Sequence, residues 1–478
     1  MTKLQKAYDA EHFRASGHQL IDQLADYLAK ATTGTEMPVL PWLDTAAAQD
    51  NWEQHFQGKD STPLFEKIIK DSIHIHHPNY MGHQVNPPAP ITALAAMTID
   101  LLNNGMGVYE MGLAGVPMER IIIREVARKM GFAQAADGII TSGGTLANLT
   151  ALLAARAHQA NQEVWTEGTH QQYAIMVSEQ AHYSVDRAIR IMGWGAAGII
   201  KIPTNGQFQM RTELLETHLA KAKEQNVEVL AVVGAACSTA TGAYDDLDAI
   251  AEFCTRHNLW FHVDGAHGAA VVYSQRHRHL VQGIERADSV CMDFHKMLMT
   301  PALATALVFK DGTNNFRTFA QEALYLFEDE DELDWYNLAK RSFECTKTMM
   351  VVKIYSLLHS YGEALFEEYV TKVIDNTQLL YELLLVDGDF EIAMPPQTNI
   401  ICFRWAPPGL SEAEIDALTP RIREAMTQEG TFYIVRTRLR GKHFLRSTLT
   451  NPFTERKHLE GMLENIKATA RELRTVAL

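Results

Sequence analysis

Asp137-Gly138-Ile139-Ile140-Thr141-Ser142-Gly143-Gly144-Thr145 opens as a short apolar run, turns on paired glycines and continues helically into Leu146-Ala147-Asn148. Strand, tight turn and helix in that order begin an α/β unit. Glycines let a backbone approach a ligand closely, and the free amides at a helix start favour a phosphate. The stretch lacks the Lys-Ser/Thr ending of a nucleotide-triphosphate loop and the glycine spacing of a dinucleotide fingerprint. Taken alone, Gly-Gly before a helix is more often a plain turn. The rest of the chain favours the phosphate.

Working outward, the pattern between about 115 and 310 alternates helical periods with apolar runs. Expected strands are 138–141, 173–177, 198–202, 229–233 and 260–263, with helices at 145–160, 183–192, 212–224 and 245–257. Apolar strands separated by helices predict an α/β fold with a mainly parallel sheet covered on both faces. Ligands of such sheets sit beyond the carboxyl ends of the strands. An amphipathic helix spans 11–30, with Phe13, Leu20, Ile21, Leu24, Tyr27 and Leu28 on its apolar face; a partner subunit or its own domain is an equal candidate to cover it. Thr32 to Pro41 reads as a linker, and the acidic run Phe327–Leu333 as a solvated loop. Beyond 345, helical periods at 347–386, strands at 399–403 and 432–435 and a helix at 454–473 predict an α+β domain. The expected division is a helical segment 1–85, a large domain 86–345 and a small domain 346–478.

The chain has 478 residues, 46% hydrophobic and 21% charged, which suits a globular protein of two or three domains. A net charge of −15 argues against nucleic acid or an anionic membrane as the main partner. Five scattered cysteines without a Cys-x-x-Cys pair fit a reducing compartment, and no apolar run approaches the roughly 18 residues of a spanning helix. The expectation is a cytoplasmic protein. His74, His76 and His77 lack a carboxylate or cysteine companion, so no metal is assigned.

Val263-Asp264-Gly265-Ala266-His267 closes one apolar strand, and Asp293-Phe294-His295-Lys296-Met297 follows downstream. A carboxylate at the end of an apolar run is costly to bury unless a cation pairs with it. Asp264 followed by Lys296 suits pyridoxal phosphate: the lysine condenses with the aldehyde as a Schiff base, and the aspartate holds a protonated pyridine nitrogen. A structural salt bridge is the plainer alternative for Asp264, and a loop histidine for His182. In the cofactor reading His182, just after a strand, stacks on the ring, and small Ala266 permits approach to the other face.

The motifs His77-Pro78-Asn79-Tyr80, Thr141–Thr145, Ala181-His182-Tyr183-Ser184, His262–Ala266, Phe294-His295-Lys296 and Leu445-Arg446-Ser447-Thr448-Leu449-Thr450-Asn451-Pro452 occur in order. In this the chain resembles the pyridoxal-phosphate-dependent group II amino-acid decarboxylases over roughly 60–470. The segment Arg276 to Val290 is similar to the glutamate, cysteine-sulfinate and diaminobutyrate branch. The resemblance implies an aspartate-aminotransferase-like fold (fold type I) and a homodimer with shared active sites. It implies Lys296, Asp264, His182 and Tyr336 as catalytic, with Trp335 and Tyr325 open alternatives to Tyr336 in a mobile loop. Gly143, Gly144, Thr145, Ser238, Thr239 and His295 would hold the phosphate, and Ala266 the ring. His83, Gln84, Asn86 and Arg446 would face substrate. Gly265 stands where the family more often has alanine, and His83-Gln84-Val85-Asn86-Pro87 matches neither the glutamate nor the aromatic branch. The implied reaction is α-decarboxylation of an L-amino acid, acidic or 2,4-diaminobutyrate; an aromatic substrate and an aminotransferase on the same fold are the alternatives.

Overall fold

The structure is a computed structural model that describes residues 1–34, 37–160, 163–319 and 334–475. The acidic run and Tyr325 lie outside them. The chain divides into two compact units, one of Gln84–Asp375 with Pro396–Ile400, the other of Met1–His83 with Asn376–Pro395 and Ile401–Leu478. Residues 346–375 therefore belong with the large unit, and the N-terminal segment shares a unit with the C-terminal sheet.

In the large unit the strands are β1 Asp137–Thr141, β2 Gln172–Ser178, β3 Ile199–Ile202, β4 Val227–Ala235, β5 Trp260–Asp264, β6 Ser289–Asp293 and β7 Thr305–Phe309. Among the described residues they form one seven-stranded sheet in the order β1-β7-β6-β5-β4-β2-β3. Neighbours from β6 to β3 are parallel, and β7 runs antiparallel to both β6 and β1. The sheet is mainly parallel, as the strand-helix alternation predicts. All five expected strands are present; β6 and β7 were not anticipated.

Side-chain alternation sorts the sheet into two cores. Phe261, Val263, Val290, Met292, Ala306 and Val308 pack on one face, and Trp260, Cys291, Leu307 and Phe309 on the other. Burying one such aromatic side chain contributes roughly 1.5–3 kcal/mol, so covering both faces holds the sheet. Helix ends are marked by side chains. Asp246 caps Leu247–His257 by accepting the Ala249 amide, and Asn258 (φ +52°) ends it.

The other unit carries β8 Phe390–Ile392, β9 Ile400–Trp405, β10 Val435–Leu439 and β11 Lys442–Thr448, in the order β10-β11-β9-β8. Helices Glu412–Glu429 and Arg456–Thr475 bring Leu418, Ile422, Met426, Leu459 and Ile466 onto Ile401, Phe403 and Leu445. The strand expected at 432–435 starts at Val435, because Tyr433 is taken by an isolated bridge to Tyr80 and stacks on its ring. The N-terminal helix spans Ala10–Thr33, capped by Asp9 and ended by Gly34 (φ +69°). Phe13, Ile21 and Leu24 on it are exposed, while Tyr27 lies 5.5 Å from the His74 ring.

Candidate active site

The carboxyl ends of β1, β2, β4, β5 and β6 deliver residues to one cavity of about 350 Å³. Gly143, Gly144, Thr145, His182, Thr239, Asp264, Ala266, His295 and Lys296, all singled out in the sequence, line it. So do Asn148, Arg187 and Asp293, to which sequence reasoning gave no role.

Lys296 sits in the short helix Phe294–Met297 after β6, its Nζ 2.7 Å from Asp293 Oδ2. Burial alone would lower the ammonium's pKa; the charge and hydrogen bond of Asp293, with Asp264 behind it, outweigh burial and raise it. Asp293 is buried, accepts the Thr305 hydroxyl and lies 3.5 Å from His295 Nε2. Its position was on the page in the sequence, three residues before Lys296, without a signal that it would turn inward.

Asp264 accepts from the Asn148 amide at 3.0 Å, the Ala266 N–H at 3.3 Å and the Cys291 thiol at 3.4 Å. His182 is the N-cap of helix Tyr183–Ile191. Burial lowers its pKa, Asp264 and Asp293 pull the other way, and the net shift is downward.

The pyridoxal phosphate site proposed from the sequence can be tested on this geometry. Gly143 has φ +130°, and a Cβ on Gly144 would stand 3.2 Å from Ala266 Cβ and 3.3 Å from Asp293 Oδ1. The backbone requires glycine at 143, and at 144 a side chain would crowd Ala266 and Asp293. The Ser238 hydroxyl is buried without a partner among the described residues, beside the lining residue Thr239. An anionic group in the cradle would satisfy it. The residues fit the cofactor.

The remaining sequence candidates are placed elsewhere. Asn86 is buried and donates to the Phe294 carbonyl at 3.4 Å, steadying the helix that carries Lys296. The Gln84 amide nitrogen is buried with no partner among the described residues. His83 and Arg446 belong to the other unit. There His83 is lowered by burial and by Arg446 and Arg423, and Arg446 donates to Thr448 Oγ1 at 3.3 Å. Tyr336 does not line the cavity; its ring lies 5.8 Å from Tyr109 and 5.8 Å from Trp335. Among the described residues no cluster of metal-ligating side chains is found, and no helix is long and apolar enough to cross a membrane.

The sequence pattern described as the pyridoxal-dependent decarboxylase conserved domain matches residues 44–406. The chain belongs to the pyridoxal-dependent decarboxylase family. The acidic amino acid decarboxylase of Mus musculus is 28% identical over 86% of this chain and 76% of its own length. The aromatic-L-amino-acid decarboxylase of Bacillus atrophaeus is 25% identical over 97% of this chain and 96% of its own. The crystal structure of Oryza sativa TDC with PLP and tryptamine superposes with a TM-score of 0.88 at 22% identity, covering 98% of this chain and 99% of that one. The fold is that of the fold-type-I decarboxylases, and the chain is a pyridoxal-phosphate-dependent decarboxylase.

A Cβ on Gly265 would stand 2.5 Å from Ala269 Cβ and 2.8 Å from the Cys291 carbonyl, so an alanine has no room here. Gly265→Ala should destabilise the fold by about 1–3 kcal/mol through overpacking, read as a lower midpoint in denaturant unfolding. An unchanged midpoint would show that the β5–β6 junction relaxes at no cost.

Proposed function

We propose that this enzyme removes the α-carboxylate of an L-amino acid with an acidic side chain, such as glutamate, aspartate or cysteine sulfinate, or of 2,4-diaminobutyrate. The observation that carries the reaction is Lys296 held at 2.7 Å from Asp293 in the same cavity as Asp264. For the acidic substrate, support comes from Arg187 in the cavity wall and from the activity named for the Mus musculus relative. The aromatic reading has its own support in the Bacillus atrophaeus relative, which aligns over nearly its full length.

Pyridoxal phosphate, when bound, supplies an aldehyde for the amine and a ring that takes up the electron pair left by CO2. Lys296 is the amine that anchors it, and Asp293 is placed to accept the proton that Nζ must lose first. Asp264 would accept a hydrogen bond from a protonated ring nitrogen, and His182 would cover a ring face. Gly143, Gly144 and Thr145, with Ser238, Thr239 and His295, would hold the phosphate at the start of the helix. Ala266 leaves room for the ring, and His83, Gln84, Asn86 and Arg446 are assigned to the substrate side. The five free cysteines agree with a cytoplasmic enzyme.

Lys296→Ala should lose the visible absorbance of the bound cofactor and all CO2 release from the amino acids screened. A variant that stays yellow and turns over would remove Lys296 from the role. In the parent enzyme, the amino acid giving the highest kcat/KM decides between acidic and aromatic side chains.

The proton that replaces CO2 on carbon needs a donor. Tyr336 is the donor we propose, in the stretch of chain that also carries the alternative Tyr325; its ring packs against Tyr109 and Trp335. Tyr336→Phe should lower amine yield by about 10²-fold or more while sparing substrate binding, and Tyr325→Phe should not. The reverse pattern would move the role to Tyr325.

The apolar face of helix Ala10–Thr33 is assigned to a second copy of the chain, in a homodimer whose active sites are shared. Phe13→Glu with Leu24→Glu should shift the mass measured by light scattering from dimer to monomer and lower activity with it. A parent protein that is monomeric and fully active would refute this assignment.

A further inference from the structure

Asn148 reaches the cavity from helix Gly144–Gln159, and its buried amide uses every hydrogen-bonding position it has. Its nitrogen donates to Asp264 Oδ2 at 3.0 Å and to Ser184 Oγ at 2.9 Å. Its oxygen accepts from His262 Nε2 at 3.0 Å and from the Cys291 thiol at 3.1 Å. One side chain therefore touches, directly or through Ser184, both groups that bracket the cofactor ring in the reading above.

We infer that Asn148 is the positioning residue of this site: its amide orients the Asp264 carboxylate and fixes His182 and His262 as Nε2–H tautomers. The inference rests on the proposed cofactor site only for its catalytic consequence.

The carboxylate, which can only accept, sets the direction of the Asn148 bonds. The Asn148 nitrogen must face Asp264, so its oxygen faces His262 and Cys291. His262 must then donate from Nε2. Burial pushes this imidazole down to about 4, so it is neutral and Nδ1 accepts. Ser289 Oγ supplies that hydrogen at 2.9 Å and itself accepts the Trp260 indole N–H at 3.0 Å, while the Ser289 carbonyl, 3.2 Å from the same Nδ1, is a further acceptor that gains no hydrogen in this tautomer. On the other arm, Ser184 Oγ takes the second Asn148 hydrogen and passes its own to His182 Nδ1 at 2.7 Å. The Ser184 backbone N–H reaches the same ring nitrogen at 3.3 Å. His182 therefore carries its hydrogen on Nε2. Turning the Asn148 amide over would set oxygen against carboxylate and N–H against N–H.

Neutron diffraction from the deuterium-exchanged holoenzyme reads these positions directly, whatever the substrate proves to be. Deuterium on Nε2 of His262 and His182, and none on Nδ1, is expected; deuterium on Nδ1 of either ring overturns the inference. Variants then separate polarity from packing. Asn148→Asp should weaken cofactor binding in titration and lower kcat more than it changes KM, by about tenfold to a hundredfold, the worth of hydrogen bonds to a charged group. His262→Gln keeps a donor toward Asn148 and an acceptor toward Ser289, and should hold kcat close to the parent. His262→Leu keeps the volume, loses both bonds and should lose about tenfold in kcat. If Leu performs as well as Gln, His262 is only core, and Asn148 does not act through it. If Lys296→Ala also fails its test, the cofactor reading falls; the neutron result is independent of that outcome.

Discussion

Two carboxylates, Asp264 and Asp293, end adjacent parallel strands at the same edge of the sheet, and the surroundings must make that tolerable. Taking one such charge out of water costs several kcal/mol. A hydrogen bond to a charged group returns about 1.5–3 kcal/mol, so two or three donors per carboxylate offset the cost. Asp264 has Asn148 and the Ala266 N–H, with the single Cys291 hydrogen shared between it and Asn148; Asp293 has Thr305 and the Lys296 ammonium. The donors come from five places in the chain, and that is why the sheet order matters. Thr305, at the start of antiparallel β7, pairs in register with Asp293 at the end of β6, which puts its hydroxyl at that carboxylate. The raised pKa of Lys296 belongs to the same arrangement: its ammonium balances Asp293, and pyridoxal phosphate, if held there, would bring a ring nitrogen whose protonated form Asp264 could balance.

This constraint separates what the sequence made legible from what it did not. Lys296, Asp264, His182 and the Gly143-Gly144 turn were readable because each sits at a strand end within a few residues of a recognisable break in periodicity. β6 and β7 were not, because Ser289-Val290-Cys291-Met292-Asp293 and Thr305-Ala306-Leu307-Val308-Phe309 are short apolar runs that periodicity alone does not tell from buried helix. β10 and β11 form a hairpin whose first strand was expected too early, since Phe432 and Tyr433 have strand composition but Tyr433 is occupied by Tyr80. Asn148 and His262 carried one faint signal, a polar side chain inside an apolar stretch. Their partners lie 114 and 143 positions apart in sequence for His262–Asn148 and Cys291–Asn148. No local pattern shows a bond of that kind. Asn86 carries a long-range contact of the same hidden kind: its amide donates to the Phe294 carbonyl, 208 positions away.

The phosphate cradle is held by a segment far downstream of it. β1 is an edge strand, and an edge leaves carbonyls to be satisfied. Arg341, buried, pairs with Asp137 at 2.9 Å and donates to the Gly138 carbonyl at 2.8 Å. Lys347, also buried, pairs with Glu119 and donates to the Ile140 carbonyl. Between them Glu344 accepts the Ser142 hydroxyl at 3.0 Å, at the first residue of the turn. Burial outweighs Glu119 in lowering the pKa of Lys347, so this cation is kept by two acceptors at a real cost. A strand neighbour would close the edge at less cost, but it would fix the edge alone. Side chains from residues 341–347 close the edge and also grip the turn that leads into helix Gly144–Gln159. The same helix carries Asn148 to Asp264 one turn further on. The Gly143-Gly144 turn and Asp264 are thus tied to one helix whose entry is clamped from outside the sheet, so a shift at residues 341–347 reaches both.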